Sequence, residues 1–159
     1  MLRIKPASLF SRSYTFREDL SHRQTCLIFW SKEGQPSRWS VDIGFSQGRF
    51  KGEEIAPSLC INPIETSKAS AAQLAGESFS ADTIEQCQER EDSFYIFEHE
   101  PMVCYTLKVL EVSDGKAHVT CSGTLVVDGY AEPYTTATFS IDSWIPVIES
   151  PDDWDKLGL

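Results

Sequence analysis

Glu98, His99 and Glu100 stand in a row within SFYIFEHEPMVCY, residues 93–105, flanked by aromatic runs. Carboxylates beside an imidazole are the groups that metal sites and acid/base catalysts use. In an extended strand successive side chains face opposite ways, so Phe94–His99 read as a strand puts Glu98 and Glu100 on one side and His99 on the other. The three then cannot meet at one ion. The two glutamates can still act together on a cation, at a solvated edge where Pro101 ends the strand. They are secondary candidates for binding.

The other histidines are His22, in a polar loop, and His118, which follows an Asp-Gly turn and faces Glu111 across it. A His–Glu pair at a hairpin end is worth under about 1 kcal/mol. Glu111 and His118 are also secondary candidates. Cys26, Cys60, Cys87, Cys104 and Cys121 are odd in number and show neither CxxC nor CxxxC spacing, the usage of reduced, buried thiols rather than of disulfides or zinc. The sequence contains no GxSxG, HExxH, P-loop or GxGxxG pattern. No catalytic residue, metal or cofactor is therefore assigned.

Recognition chemistry is better represented. The loop DGYAEPYTT presents Asp128, Tyr130, Glu132 and Tyr134, carboxylates mixed with amphipathic rings of the kind enriched at binding surfaces. Near the end of the chain SPDDWD repeats the combination with Asp152, Asp153 and Trp154 as an exposed anchor, whereas Trp144, between Ile141 and Ile145, reads as core.

These residues must be positioned by a mostly β fold. Trp39, Val41, Ile43 and Phe45 alternate with Ser40, Asp42, Gly44 and Ser46, a half-buried strand. With SLFSRSYTF and TCLIFW before it, residues 8–62 read as an antiparallel meander. Short helices follow over 67–91. The first, in TSKASAAQLAG, runs from an N-cap at Thr66 or Ser67 to Gly76; the second, in SADTIEQCQERED, starts from Ser80 or Asp82 with Glu85 in capping-box spacing and is largely solvated. Residues 93–148 form a second meander.

Asp114-Gly115 reads as a two-residue turn, which places Leu110 opposite Val119, Cys104 opposite Leu125 and Met102 opposite Val127 on the core face. The same rule at Asp128-Gly129 would send Ala137 and Phe139 to the wrong face. DGYAEPY is therefore a bulged or longer loop. Ser150, Pro151 and the acidic first turn announce a terminal helix at 151–157. The expected architecture is one α+β domain, mostly β, over residues 1–159: an antiparallel sandwich or partly open barrel with two or three short helices.

Charge narrows the function. Residues 1–60 hold nine Lys/Arg against six Asp/Glu, and residues 61–159 hold five against eighteen, giving −10 overall. An acidic field of that kind repels nucleic acid and anionic membranes and steers basic partners. Arg3, Lys5, Arg12, Arg17 and Arg23 form at most a local basic stripe. No stretch approaches the roughly 18 apolar residues of a membrane span, and the first fifteen residues lack a signal-peptide core. The expectation is a soluble, cytoplasmic, non-catalytic protein that engages a basic protein partner, immunity- or inhibitor-like by charge and size alone. The alternative is a small barrel or sandwich that binds, or acts on, an apolar small molecule. A homodimer through an exposed edge strand is a further possibility for the fold.

Overall fold

A computed structural model describes residues 1–8, 11–21, 25–131 and 134–157. Among them the chain forms β1 (Leu2–Pro6), β2 (Tyr14–Phe16), β3 (Cys26–Trp30), β4 (Ser37–Gly44), β5 (Gly48–Phe50), β6 (Glu53–Ile55), β7 (Ser58–Thr66) and β8 (Ser78–Ala81). After α1 (Ile84–Arg90) come β9 (Ser93–Tyr95), β10 (His99–Ser113), β11 (Lys116–Asp128) and β12 (Thr135–Ile148).

Seven strands close into a barrel in the order β3, β4, β7, β9, β10, β11, β12. Six neighbouring pairs are antiparallel. The seventh, β12 beside β3, is parallel and joins Val147 to Leu27 and Ile148 to Ile28. The mostly β expectation holds, as a barrel. The interior is one continuous cluster in which Trp39, Phe94, Met102, Tyr105 and Ile61 are each under 3% exposed and Phe139 packs on Phe94 with ring centroids 5.4 Å apart. Phe50, on the β5–β6 hairpin, is fully buried and packs between the tilted rings of Tyr14 and Phe97, closing one mouth.

Two long strands divide their second edge between two partners. β12 carries β1 along 137–141 before meeting β3, and β10 carries β9 along 99–101 and β8 along 105–108. Between β8 and β9 the barrel wall parts, and α1 covers the gap. There the Asp92 carboxylate, 0% exposed, accepts hydrogen bonds from Asn62 N, Arg90 and the Tyr105 hydroxyl. Burial first, then this contact with Asp92, pushes the Tyr105 phenol well above its ordinary pKa.

Several local expectations are corrected. The helix over 67–76 is a single 3-10 turn, Ala71–Leu74, and Thr66 belongs to β7. Its residues Ala71 and Leu74 are fully buried, and Gly76 and Glu77 exchange main-chain hydrogen bonds with Val109, which stops propagation. Helix α1 is capped by Thr83, whose hydroxyl accepts from Gln86 N at 3.2 Å, while Ser80 lies in β8. The terminal helix at 151–157 is also 3-10, with the Asp153 carboxylate accepting from Glu149 N and Ser150 N. β1 was not anticipated. The expected Phe94–His99 strand is instead a hairpin, β9 and β10 with a turn at 96–98, so Pro101 lies inside a long strand rather than ending one.

The Asp114-Gly115 turn forms with both residues at positive φ, and Ser113 pairs with Lys116. Beyond it the register slips at Leu110 and again at Val103. Leu110 is consequently 49% exposed, and Tyr105, Leu107 and Val109 take the core face assigned to Leu110 and Cys104. A bulge moves every later side chain across the sheet, and the turn rule has no access to it. At the next turn the expected irregularity is present: the ladder shifts between Val126 and Asp128, and Ala137 and Phe139 point inward. Trp144, read as core, faces outward and is 39% exposed, because Ile141, Ser143 and Ile145 occupy the inward positions of β12.

Candidate functional site

At the mouth closed by Phe50, three separate pieces of chain surround a basin of about 370 Å³: Glu53 from β6, Phe97, Glu98 and Glu100 from the β9–β10 turn and the start of β10, and Val127, Asp128, Gly129 and Tyr130 from the end of β11 and its loop. Each piece is held from below. The β5–β6 hairpin turns at Lys51-Gly52, both at positive φ as a two-residue hairpin turn requires, and buries Phe50 and Ile55. Glu100 pairs with the core residue Phe94 and so stands on the inward side of β10.

The loop after β11 is fixed by its own polar groups. Asp128 Oδ1 accepts from Tyr130 N at 2.9 Å. The Tyr130 side chain is 81% exposed near Glu98, whose charge, followed by its capacity to accept a hydrogen bond, raises the Tyr130 pKa. Gly129 passes beneath Glu100 so closely that a β-carbon there would lie 2.6 Å from a carboxylate oxygen. Three segments far apart in sequence thus present four carboxylates and two exposed rings to one concave space. Among the described residues no group of three His, Cys, Asp or Glu side chains is arranged to hold a metal ion. What the basin offers is electrostatic and π-face affinity for a cationic group.

A second concavity, of about 410 Å³, lies on the outer face of β3, β4, β7 and β9. Cys26, Asp42, Cys60 and Ser93 form an in-register row across these four strands, with Ile28 beside them and His99 and Trp154 at the sides. Burial first, then the charge of Asp42, raises the thiol of Cys26 to about 11 and that of Cys60 to about 12. Both shifts favour the protonated thiol.

No protein-family model matches the chain, nor does any curated protein or solved structure.

The structure therefore gathers Asp128, Tyr130, Glu98 and Glu100 into one site and leaves the other candidates elsewhere. Tyr134, 44% exposed, lies just before β12, and Glu132 lies outside the described residues. Asp152, Asp153 and Trp154 belong to the turn beside the outer groove, where the Asp153 carboxylate serves as a cap. Glu111 faces His118 as the register predicted, but His118 Nε2 sits 2.6 Å from Asp142 Oδ1 and its ring stacks on Trp144 at 4.9 Å. His22 lies outside the described residues. Glu53 and Phe97 were not among the candidate site residues read from the sequence. Lys51-Gly52 between short apolar-polar runs was the available signal for the first, and the second needed the hairpin at 96–98.

Proposed function

We propose that the protein is a non-catalytic binding module that engages a basic protein partner through the acidic basin at the barrel mouth. The observation that carries this reading is the convergence of Glu53, Glu98, Glu100 and Asp128 around Phe97 and Tyr130. Like charges gathered at one place oppose folding, and a partner's Lys or Arg relieves that repulsion on binding. The exposed Tyr130 and Phe97 supply rings over which such a cation is attracted further. The −13 of residues 61–159 extends the same field beyond the basin. An immunity- or inhibitor-like role in the cytoplasm is the setting that this reading favours. The alternative, an apolar molecule held inside the barrel, has less to rest on, since Trp39, Tyr105, Phe94 and Met102 occupy the interior.

The test compares the tagged protein with a Glu98→Gln/Glu100→Gln/Asp128→Asn variant in pull-downs from host lysate, followed by association kinetics at several salt concentrations. The intact protein should retain a basic protein that elutes at moderate salt. The variant should associate about tenfold more slowly with a flattened salt dependence. Equal capture and equal kinetics by the two proteins would remove the basin from consideration.

A further inference from the structure

Residues 98–100 form a wall shared by both concavities. Glu98 and Glu100 line the acidic basin while His99, facing the other way, lines the outer groove, and the ring of Tyr95 lies 5.0 Å from that of His99 along the crest. The basin and the groove are thus adjoining rooms rather than separate sites.

The groove has its own division. Trp154 borders both the 410 Å³ space and a smaller cleft of about 180 Å³ lined by Ile28, Trp30 and Ile148. Cys26, Ile148 and Ile28 form a small apolar cluster here, apart from the barrel core. Trp30, Trp144 and Trp154 are all more than a third exposed, so only Trp39 among the four tryptophans is committed to the core. An indole ridge between two apolar clefts suits an extended peptide, whose side chains descend on either side of the ridge while its backbone crosses it. A helix presents a broader face and would need one continuous trough. The surroundings are acidic: Glu149 lines the smaller cleft, and Asp152, Asp153 and Asp155 lie on the turn that carries Trp154.

We infer that the partner is held as an extended segment, with apolar side chains in the two clefts flanking Trp154 and a Lys or Arg carried over the wall at His99 into the acidic basin. This rests on the basin reading above and adds to it the polarity and conformation of the bound segment, an apolar stretch leading to a basic one. The charge around both rooms, Asp42 on the groove floor included, excludes an acidic segment, while Ile28, Ile43 and Leu59 on the same floor favour apolar side chains.

Three fluorescein-labelled synthetic peptides test the inference by anisotropy: an alternating Leu-Pro half followed by an Arg-Lys-Arg tail, the same tail after a Gly-Ser half, and the Leu-Pro half alone. The first should bind at least about tenfold tighter than the second, the gain that burying an apolar anchor in a preformed cleft provides. Trp154→Ala should reduce the affinity for the first peptide to that for the second. Trp30→Ala, which alters only the smaller cleft, should take away part of the gain. Glu98→Gln/Glu100→Gln should weaken both tailed peptides. Equal affinity of the intact protein for the two tailed peptides, or a gain that survives Trp154→Ala in a folded variant, overturns the extended-segment inference and leaves the basin standing. Failure of both tailed peptides to bind overturns the basin reading and this inference with it.

Discussion

Arg90 and Asp92, two residues apart, together serve a strand edge that has no neighbouring strand. Arg90 Nε donates to Asp92 Oδ2 at 2.7 Å; Asp92 Oδ1 accepts from Asn62 N at 2.7 Å, and Arg90 Nη2 donates to Asn62 O at 2.6 Å. Asn62 lies on β7 where the barrel wall has parted. Both of its main-chain groups, which a next strand would ordinarily satisfy, are satisfied by side chains instead. Asn62 returns the arrangement by donating Nδ2 to the carbonyls of Arg90 and Glu91 at 3.1 and 2.7 Å.

Removing the buried carboxylate should therefore cost more than removing the Tyr105 hydroxyl that donates to it. Asp92→Ala leaves Arg90, the Tyr105 hydroxyl and Asn62 N without their shared acceptor and should cost about 3–5 kcal/mol. Tyr105→Phe removes one donor and should cost about 1–2 kcal/mol. Urea unfolding of the two variants checks the order, and a Tyr105→Phe loss equal to that of Asp92→Ala would show that packing, not the acceptor, dominates.

Gly123 is a position where no side chain fits. A β-carbon there would lie 2.0 Å from the main-chain oxygen of Cys104 and 2.8 Å from Tyr105 Cα, at the bulge near Val103. Neither neighbour is a side chain that can swing away. Gly123→Ala should cost about 3 kcal/mol or more, the upper end of overpacking, and lower the melting temperature accordingly. A variant as stable as the parent would mean that the two strands separate there without penalty.

Tyr130 should titrate above the ordinary value of about 10 for a phenol. The direction follows from Glu98, whose negative charge opposes a phenolate. Ultraviolet difference titration, with Tyr130→Phe identifying the relevant phenol, should show the step returning toward its ordinary position in Glu98→Gln. An unchanged titration in that variant would place the Tyr130 hydroxyl away from Glu98.

How far the sequence revealed this depends on the range of the signals. The Asp114-Gly115 turn was legible because the φ > 0 preference at a two-residue turn is local. The bulge at Leu110 was not, because nothing in Leu110 marks it as the extra residue; the slip answers to what β8 and β11 require of Tyr105, Leu107 and Val109. Trp144 was misplaced for a related reason: its size suggested the core, but the inward positions of β12 are set by Ile141 and Ile145. In the site, the Asp128–Tyr130 loop was legible from composition. Its meeting with Glu98 and Glu100 was not, since it depends on the turn at 96–98 that sends β10 back beside β11.

The parallel contact of β12 with β3 has a consequence for how the molecule comes into being. β12 is also the partner of β11 and of β1, so a growing chain that has not yet delivered residues 135–148 leaves three earlier strands with open edges. Every other wall of the barrel is synthesised before the one that joins the first wall to the last. During that interval the nascent protein is an open sheet, prone to pair with other chains. The acidic basin draws its residues from β6, the β9–β10 turn, β10 and the end of β11, all of which precede β12 in the chain.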